Sequence, residues 1–351
     1  MRVFHNNFDD IISIENLFAS WREFKIGKER KSDVIEFERH LEDNLWDLQQ
    51  SLADKTYQHG PYTSFFIQDP KLRHIHKAVV RDRVLHHAIV KLLTPIFEPT
   101  FINDSYSCRI GKGTHKGVDR FVAYARSESN NFKRPIWVLK CDVKKFFASI
   151  DHRVLLNILL KKIHDEDTRW LLREVVESFR SEFTVSDAEP KGLPIGNLTS
   201  QLFANVYLNE LDQFVKLHLK ERHYIRYADD FVVLSTREDH CSQIVEPIRS
   251  FLSSSLKLDL HPRKMSIRKY QQGVDFLGYI CFPHFRIPRL TTEKRIFRKL
   301  REKAMLVKEG ALTIDSFEQA LQSYMGILSH SNAFRLREEL ENQIFFWLTS
   351  F

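Results

Sequence analysis

The run Tyr224-Ile-Arg-Tyr-Ala-Asp-Asp-Phe-Val-Val-Leu-Ser235 constrains this chain more than any other segment. Aromatic and β-branched residues flank a short polar centre, the pattern of a strand, a tight turn and a second strand. Asp suits a turn because its short side chain bonds the neighbouring backbone, so one Asp here needs no chemistry. Two are different, because adjacent carboxylates repel unless a cation lies between them. Asp229 and Asp230, at the tip beside an apolar strand, are therefore placed to hold a divalent cation. Mg²⁺ takes oxygen ligands and keeps positions for water and substrate phosphates.

A second segment supplies a third carboxylate. Ile136–Cys141 reads as a buried strand, and Asp142 falls at its end. An Asp there can simply cap the next segment. The carboxyl end of a strand is also where α/β-type sheets place ligands. Three carboxylates on neighbouring strand ends can hold two metal ions about 3.5–4 Å apart, clamping both oxygens of a phosphoryl transfer.

The remainder of the chain suits an enzyme acting on a polyanion. Its 351 residues are 43% hydrophobic and 28% charged, a globular balance with room for two or three lobes. A net charge of +7 points to a polyanionic partner. Cys108, Cys141, Cys241 and Cys281 form no CxxC pair, so neither structural zinc nor a disulfide framework is expected. The sixteen histidines show no ligand spacing and read as packing or phosphate-contact residues. No 18-residue apolar run and no signal-peptide pattern occur, so a cytoplasmic protein without membrane contact is expected. Phe37, Leu41, Leu45, Leu48 and Leu52 form a helical stripe over 32–54, and 81–97 and 152–180 also read helical. After Arg289, Lys294, Arg295, Arg298, Lys299, Arg301 and Lys303 crowd around a single acid, Glu302. Ile296, Leu300 and Ala304 line one face there, which predicts an amphipathic basic helix contacting phosphates.

Seven segments in order make the chain resemble a reverse transcriptase. Lys71–Leu85 and Tyr106–Gly117 are similar to the two fingers motifs, and Leu139–His152 to the first catalytic motif. Gly192–Asn209 resembles the nucleotide-binding motif, and Tyr227–Asp230 is the Tyr-x-Asp-Asp box. Leu256–Met265 resembles the motif ending in lysine, and Val274–Tyr279 the primer grip. In the fourth segment, group II intron enzymes carry Pro-Gln-Gly and then Ser-Pro, whereas this chain has Ile195-Gly196 and Ser200-Gln201. That text is similar to the enzymes of diversity-generating retroelements, which copy a template RNA with errors at adenines. The Tyr-Ala-Asp-Asp box is more usual in group II and retron enzymes.

The resemblance implies an α+β right-hand polymerase. Residues 1–60 would be an N-terminal helical segment and 61–135 the fingers. Residues 136–290 would be a palm with an antiparallel sheet and a fingers insertion around 155–200, and 291–351 a short helical basic thumb. Asp142, Asp229 and Asp230 would be catalytic, holding two Mg²⁺ ions (Mn²⁺ as the alternative) with the Val143 carbonyl. Lys71, Arg73, Phe147, Ile195, Gln201 and Lys264 would meet the nucleotide. Arg73 would lie over it, Phe147 would select deoxynucleotides by clashing with a 2′-hydroxyl, and Lys264 would face the pyrophosphate. Phe146 and Phe147 are adjacent, so one of them points inward. Arg109, Lys112, His115, Phe276, Leu277, Gly278, Lys294, Arg295 and Arg298 would contact template and primer. The partners implied are a template or noncoding RNA, the cDNA–RNA hybrid, deoxynucleoside triphosphates and a small accessory protein, in a bacterial or phage setting. Two other readings stay open: an antiviral reverse transcriptase using its own noncoding RNA, and a catalytically silent RNA-binding protein.

Overall fold

The computed structural model describes residues 7–68, 72–181 and 190–349. Four helices open it: α1 (Asn7–Ile12), α2 (Ile14–Lys25), α3 (Ser32–Arg39) and α4 (Leu41–Ala53). The 32–54 stripe thus forms two helices. His40 leaves helical geometry at φ −123°, ψ 39°, with neither Pro nor Gly to announce the break. The expected face is still the buried one, through Leu45, Leu48 and Leu52.

A hairpin follows, β1 (Thr63–Gln68) against β2 (Leu72–Lys77), then the long core helix α5 (Val80–Phe97) and α6 (Thr114–Glu128). The predicted strand is β3 (Trp137–Asp142), followed by the short α7 (Phe146–Ser149). The helical stretch after residue 152 divides into α8 (His152–Leu160) and α9 (Glu166–Glu177), each capped by an Asp that accepts a backbone N–H, Asp151 and Asp165. Next come α10 (Leu198–Gln213), β4 (Tyr224–Tyr227), β5 (Asp230–Ser235), α11 (Glu238–Gln243), α12 (Val245–Leu256) and β6 (Ser266–Lys269). A small antiparallel meander of β7 (Val274–Phe276), β8 (Tyr279–Cys281) and β9 (Arg286–Pro288) precedes α13 (Leu290–Lys308), α14 (Ile314–Ser329) and α15 (Phe334–Thr349).

The central sheet has the order β4-β5-β3-β6, antiparallel throughout. Alternation along its strands divides the side chains between two cores. Leu139, Cys141, Phe231 and Val233 enter the main core, shared with α5 and α10. Val138, Ile225, Val232 and Leu234 enter a second one with Val118, Phe121 and Phe276. By the same alternation Lys140, Asp142 and Asp230 share the face of the second core, at the end where its apolar residues stop. The last three helices have a core of their own: Ile296, Leu300 and Ala304 of α13 meet Phe317, Leu328, Leu340 and Ile344. Among the described residues no helix is long and apolar enough to cross a membrane.

Candidate active site

The β4–β5 turn turns on Ala228, whose φ of 51° is left-handed. Such backbone costs a non-glycine residue on the order of 1 kcal/mol and persists only where neighbours hold it. The strand register sets Asp142 directly opposite Asp230. The Val143 N–H donates to the Asp229 carbonyl at 3.2 Å, so the two strand ends are joined beyond the sheet. A third segment lies alongside. The His261 N–H donates to the Asp142 carbonyl at 2.7 Å, and the Lys144 N–H to that of Asp259 at 2.8 Å. This carries Lys264 into the site, its Nζ 2.7 and 2.9 Å from the two Asp142 carboxylate oxygens.

Burial, and after it the neighbouring Asp229 and Asp142 carboxylates and a hydrogen bond that the protonated Asp230 donates to Asp142, together lift the Asp230 carboxyl to about 6 against the pull of Lys140. Lys140 is a site residue that sequence reasoning missed. A lysine two places before Asp142 in an apolar strand was the available signal, since that spacing returns it to the same face. Its Nζ donates to the Asp275 carbonyl at 2.9 Å, tying the carboxylate face to β7. Among the described residues no three Asp, Glu, His or Cys side chains form a ready-made metal cage. The donors nevertheless suit a hard cation. They are carboxylate oxygens that repel one another in a partly buried cleft, and Mg²⁺ completes its shell with water and phosphate rather than a full protein cage.

Of the residues expected at the nucleotide, Phe147 and Ile195 come together at the loop before α10. Phe146 is buried and Phe147 is only partly so, their rings 5.3 Å apart, which settles which of the two points inward. The Phe147 carbonyl accepts from Leu193 N–H at 2.7 Å, and the Ile195 carbonyl accepts from His76 N–H at 3.0 Å. These bonds fasten the loop to α7 on one side and to β2 on the other. Gly196 has φ 118°, and a Cβ there would lie 3.0 Å from Ile75, so only glycine suits so close an approach. Arg73, on the same face of β2 as Ile75, is exposed, as is Gln201 in the first turn of α10. Lys71 lies outside the described residues.

The template and primer residues are not all where the sequence reading places them. Arg109 is turned inward with 6% of its side chain exposed. Its guanidinium bonds Glu98 and the carbonyls of Ile102 and Ser105; a planar five-donor group suits such a polar loop interior. Those bonds hold it in the interior of the loop rather than at its surface. Phe276 is likewise core, fully buried with its ring 5.0 Å from that of Phe121. Leu277 (φ 48°) and Gly278 (φ 95°) form the turn that follows it. His115 stacks on His330 of the C-terminal helices at 3.6 Å and meets the Tyr279 hydroxyl at 3.3 Å, so it serves the packing of those helices against the sheet domain. Lys112 is partly buried, its Nζ 2.8 Å from the Asn103 carbonyl. On α13, Lys294 and Arg298 are exposed and Arg295 is partly buried.

A family model described as reverse transcriptase (RNA-dependent DNA polymerase) matches residues 68–281, more than half of the chain. The chain is 27% identical over 266 residues to Protein YkfC of Escherichia coli, covering 66% of this chain and 69% of that protein. It is 25% identical over 320 residues to the group II intron-encoded protein LtrA of Lactococcus lactis, covering 72% of this chain but only 51% of LtrA. The chain thus spans about half the length of that relative. Among solved structures, telomerase of Candida tropicalis superposes over 83% of this chain and 62% of its own, with a TM-score of 0.52 at 11% identity. That likeness carries the fold alone: a right-hand polymerase with antiparallel sheets.

Proposed function

We propose that this chain, which belongs to the reverse transcriptase (RNA-dependent DNA polymerase) family, makes DNA on an RNA template in the cleft formed by Asp142, Asp229 and Asp230. The observation that carries the proposal is the register placing Asp142 opposite Asp230, with the Asp229 carbonyl bonded to Val143. Held by Asp142, Asp229 and the Val143 carbonyl, two Mg²⁺ or Mn²⁺ ions would neutralise the attacking and leaving oxygens of nucleotidyl transfer. Asp230, whose carboxyl is raised by burial and its neighbours, supports the site without needing to contact both ions. Lys264 holds Asp142 from the side and is within the site to meet the departing pyrophosphate. Phe147 presents a ring beside the loop carrying Ile195, where a 2′-hydroxyl would collide with it. Arg73 and Gln201 border the same space from β2 and α10.

In this reading 1–60 is an N-terminal helical segment, 61–135 the fingers, 136–290 the palm with a fingers insertion around 155–200, and 291–351 the thumb. Lys294, Arg295 and Arg298 of α13 would grip the template–product duplex, as electrostatic contacts to phosphates do in general. The text around Ile195 and Gln201 supports error-prone copying of a structured RNA in a diversity-generating retroelement, with a small accessory protein. An aliphatic Ile195 selects the nascent pair by shape alone, and sites without hydrogen bonds to their substrate discriminate poorly.

Primer extension on a defined RNA, with the product sequenced, tests both levels. Wild type should extend the primer, and Asp229→Asn should abolish extension while RNA binding persists. Extension by Asp229→Asn at near wild-type rate would overturn the site. Errors should concentrate at template adenines and fall in Ile195→Gln; uniform accuracy would overturn the retroelement role and leave the antiviral one, and an unchanged error spectrum in Ile195→Gln would overturn the part given to Ile195.

A further inference from the structure

Directly behind the carboxylate turn lies an ion pair that none of the chemistry above uses. Arg226 and Asp212 are both 0% exposed. The Arg226 Nε donates to Asp212 Oδ1 and its Nη2 to Oδ2, each at 2.7 Å, a two-point fork between β4 and α10. The Tyr224 hydroxyl donates to the same Asp212 Oδ1 at 2.7 Å. The remaining guanidinium nitrogen, Nη1, reaches Asn205 Oδ1 at 3.3 Å and the Ala228 carbonyl at 3.1 Å. The arginine backbone is held too, by the Asp104 carbonyl at 3.0 Å and the Tyr106 N–H at 2.9 Å.

Stability alone is a poor reason for this arrangement. Replacing a buried ion pair with apolar residues of similar volume is often neutral or stabilising, because desolvating two charges costs several kcal/mol. Its geometry offers a better reason. Ala228 sits in left-handed backbone, and its carbonyl is clasped by a guanidinium that cannot rotate while Asp212 holds the fork. The residue after Ala228 is Asp229. Only arginine can bond Asp212 at two points and still donate to the turn, since the lysine ammonium is a point charge without a fork.

We infer that Arg226 is a positioning residue for the active site: anchored on Asp212 of α10, it sets the Ala228 turn and thereby the place of Asp229. The inference rests on reading Asp229 as a metal ligand, deepens that reading, and names no contact of Arg226 with substrate. It also gives α10 two tasks, since the helix that begins beside Ile195 and Gln201 also anchors the turn.

The test compares wild type with Arg226→Lys and with the triple variant Tyr224→Phe/Asp212→Leu/Arg226→Met, which removes the polar cluster without stranding a charge. Fold is followed by thermal unfolding, and Mn²⁺ binding by loss of the free-ion electron paramagnetic signal. Primer extension gives kcat and the nucleotide KM. Both variants should stay folded and bind Mn²⁺ about 10–100-fold more weakly than wild type, the range for losing a residue that orients a ligand. kcat should fall by a similar factor while the nucleotide KM moves little. If either folded variant binds Mn²⁺ as wild type does, the pair is structural only and the inference fails, even with the metal site intact. If wild type itself binds no Mn²⁺, the metal-site reading fails first, and this inference with it. Should the triple variant not fold, Arg226→Lys decides alone.

Discussion

Replacing Asp230 by asparagine should stabilise the metal-free protein while destroying its activity, and the gain should depend on pH. Asp230 stands opposite Asp142, next to Asp229, in a cleft that buries most of it. Burial, Asp229 and Asp142 lift its carboxyl from 3.8 to about 6, although Lys140 pulls the other way. That rise corresponds to about 3 kcal/mol of native-state penalty for the ionised form. Screening by water that enters the cleft reduces the net gain to about 1–2 kcal/mol. The native carboxyl keeps its proton up to about pH 6, whereas the unfolded one releases it near 3.8. The native state therefore binds more protons across that interval, and wild-type stability falls as pH rises through it. Asparagine removes the titration, so the advantage of the variant should be absent below about pH 4 and complete above about pH 7. Urea unfolding in EDTA, at several values between pH 4.5 and 8, measures it. Added Mg²⁺ should then stabilise wild type more than the variant, because a ligand binding only the native state shifts the equilibrium toward it. A variant less stable than wild type at pH 8, or a gain equally large at pH 4.5, would refute the electrostatic reasoning.

Two neighbouring residues should behave differently. Phe147→Ala should raise ribonucleotide incorporation relative to deoxynucleotide at little cost in stability, whereas Phe146→Ala should cost about 3–5 kcal/mol as a buried ring is lost; unchanged sugar selectivity in Phe147→Ala would show that the ring is not the gate. Arg109→Ala should cost about 1–3 kcal/mol, since Glu98 and two loop carbonyls lose their donor, and should leave the salt dependence of RNA binding unchanged. Lys294→Ala and Arg298→Ala should each lower the salt slope by about 1 without loss of stability. A lower slope in Arg109→Ala would return that residue to the nucleic-acid surface.

The local vocabulary of the fold is legible in the residues themselves. Short apolar runs mark the buried strands β3 and β5, and the spacing of Ile296, Leu300 and Ala304 marks the buried face of α13. The Asp229–Asp230 tip and Asp142 at a strand end could be singled out because carboxylates at turns and strand ends break an apolar pattern. Their meeting could not be derived from that pattern, because Asp142 and Asp230 are joined by a register between strands far apart in the chain, and one residue of slip would put them on opposite faces. The same limit hid other assignments. Arg109 reads as a loop cation, yet Glu98 and two carbonyls draw it inward. Phe276 reads as a template or primer contact, yet Phe121 of α6 covers it. His115 reads as part of a template loop, yet His330, from the far end of the chain, stacks on it. A residue's own period and chemistry are written next to it, so sequence alone determined the buried faces of β3 and α13 and the carboxylates, though not where the helices of 32–54 and 152–180 break. Which segment covers which side chain depends on how all the buried faces are satisfied at once, and only the tertiary structure decided that.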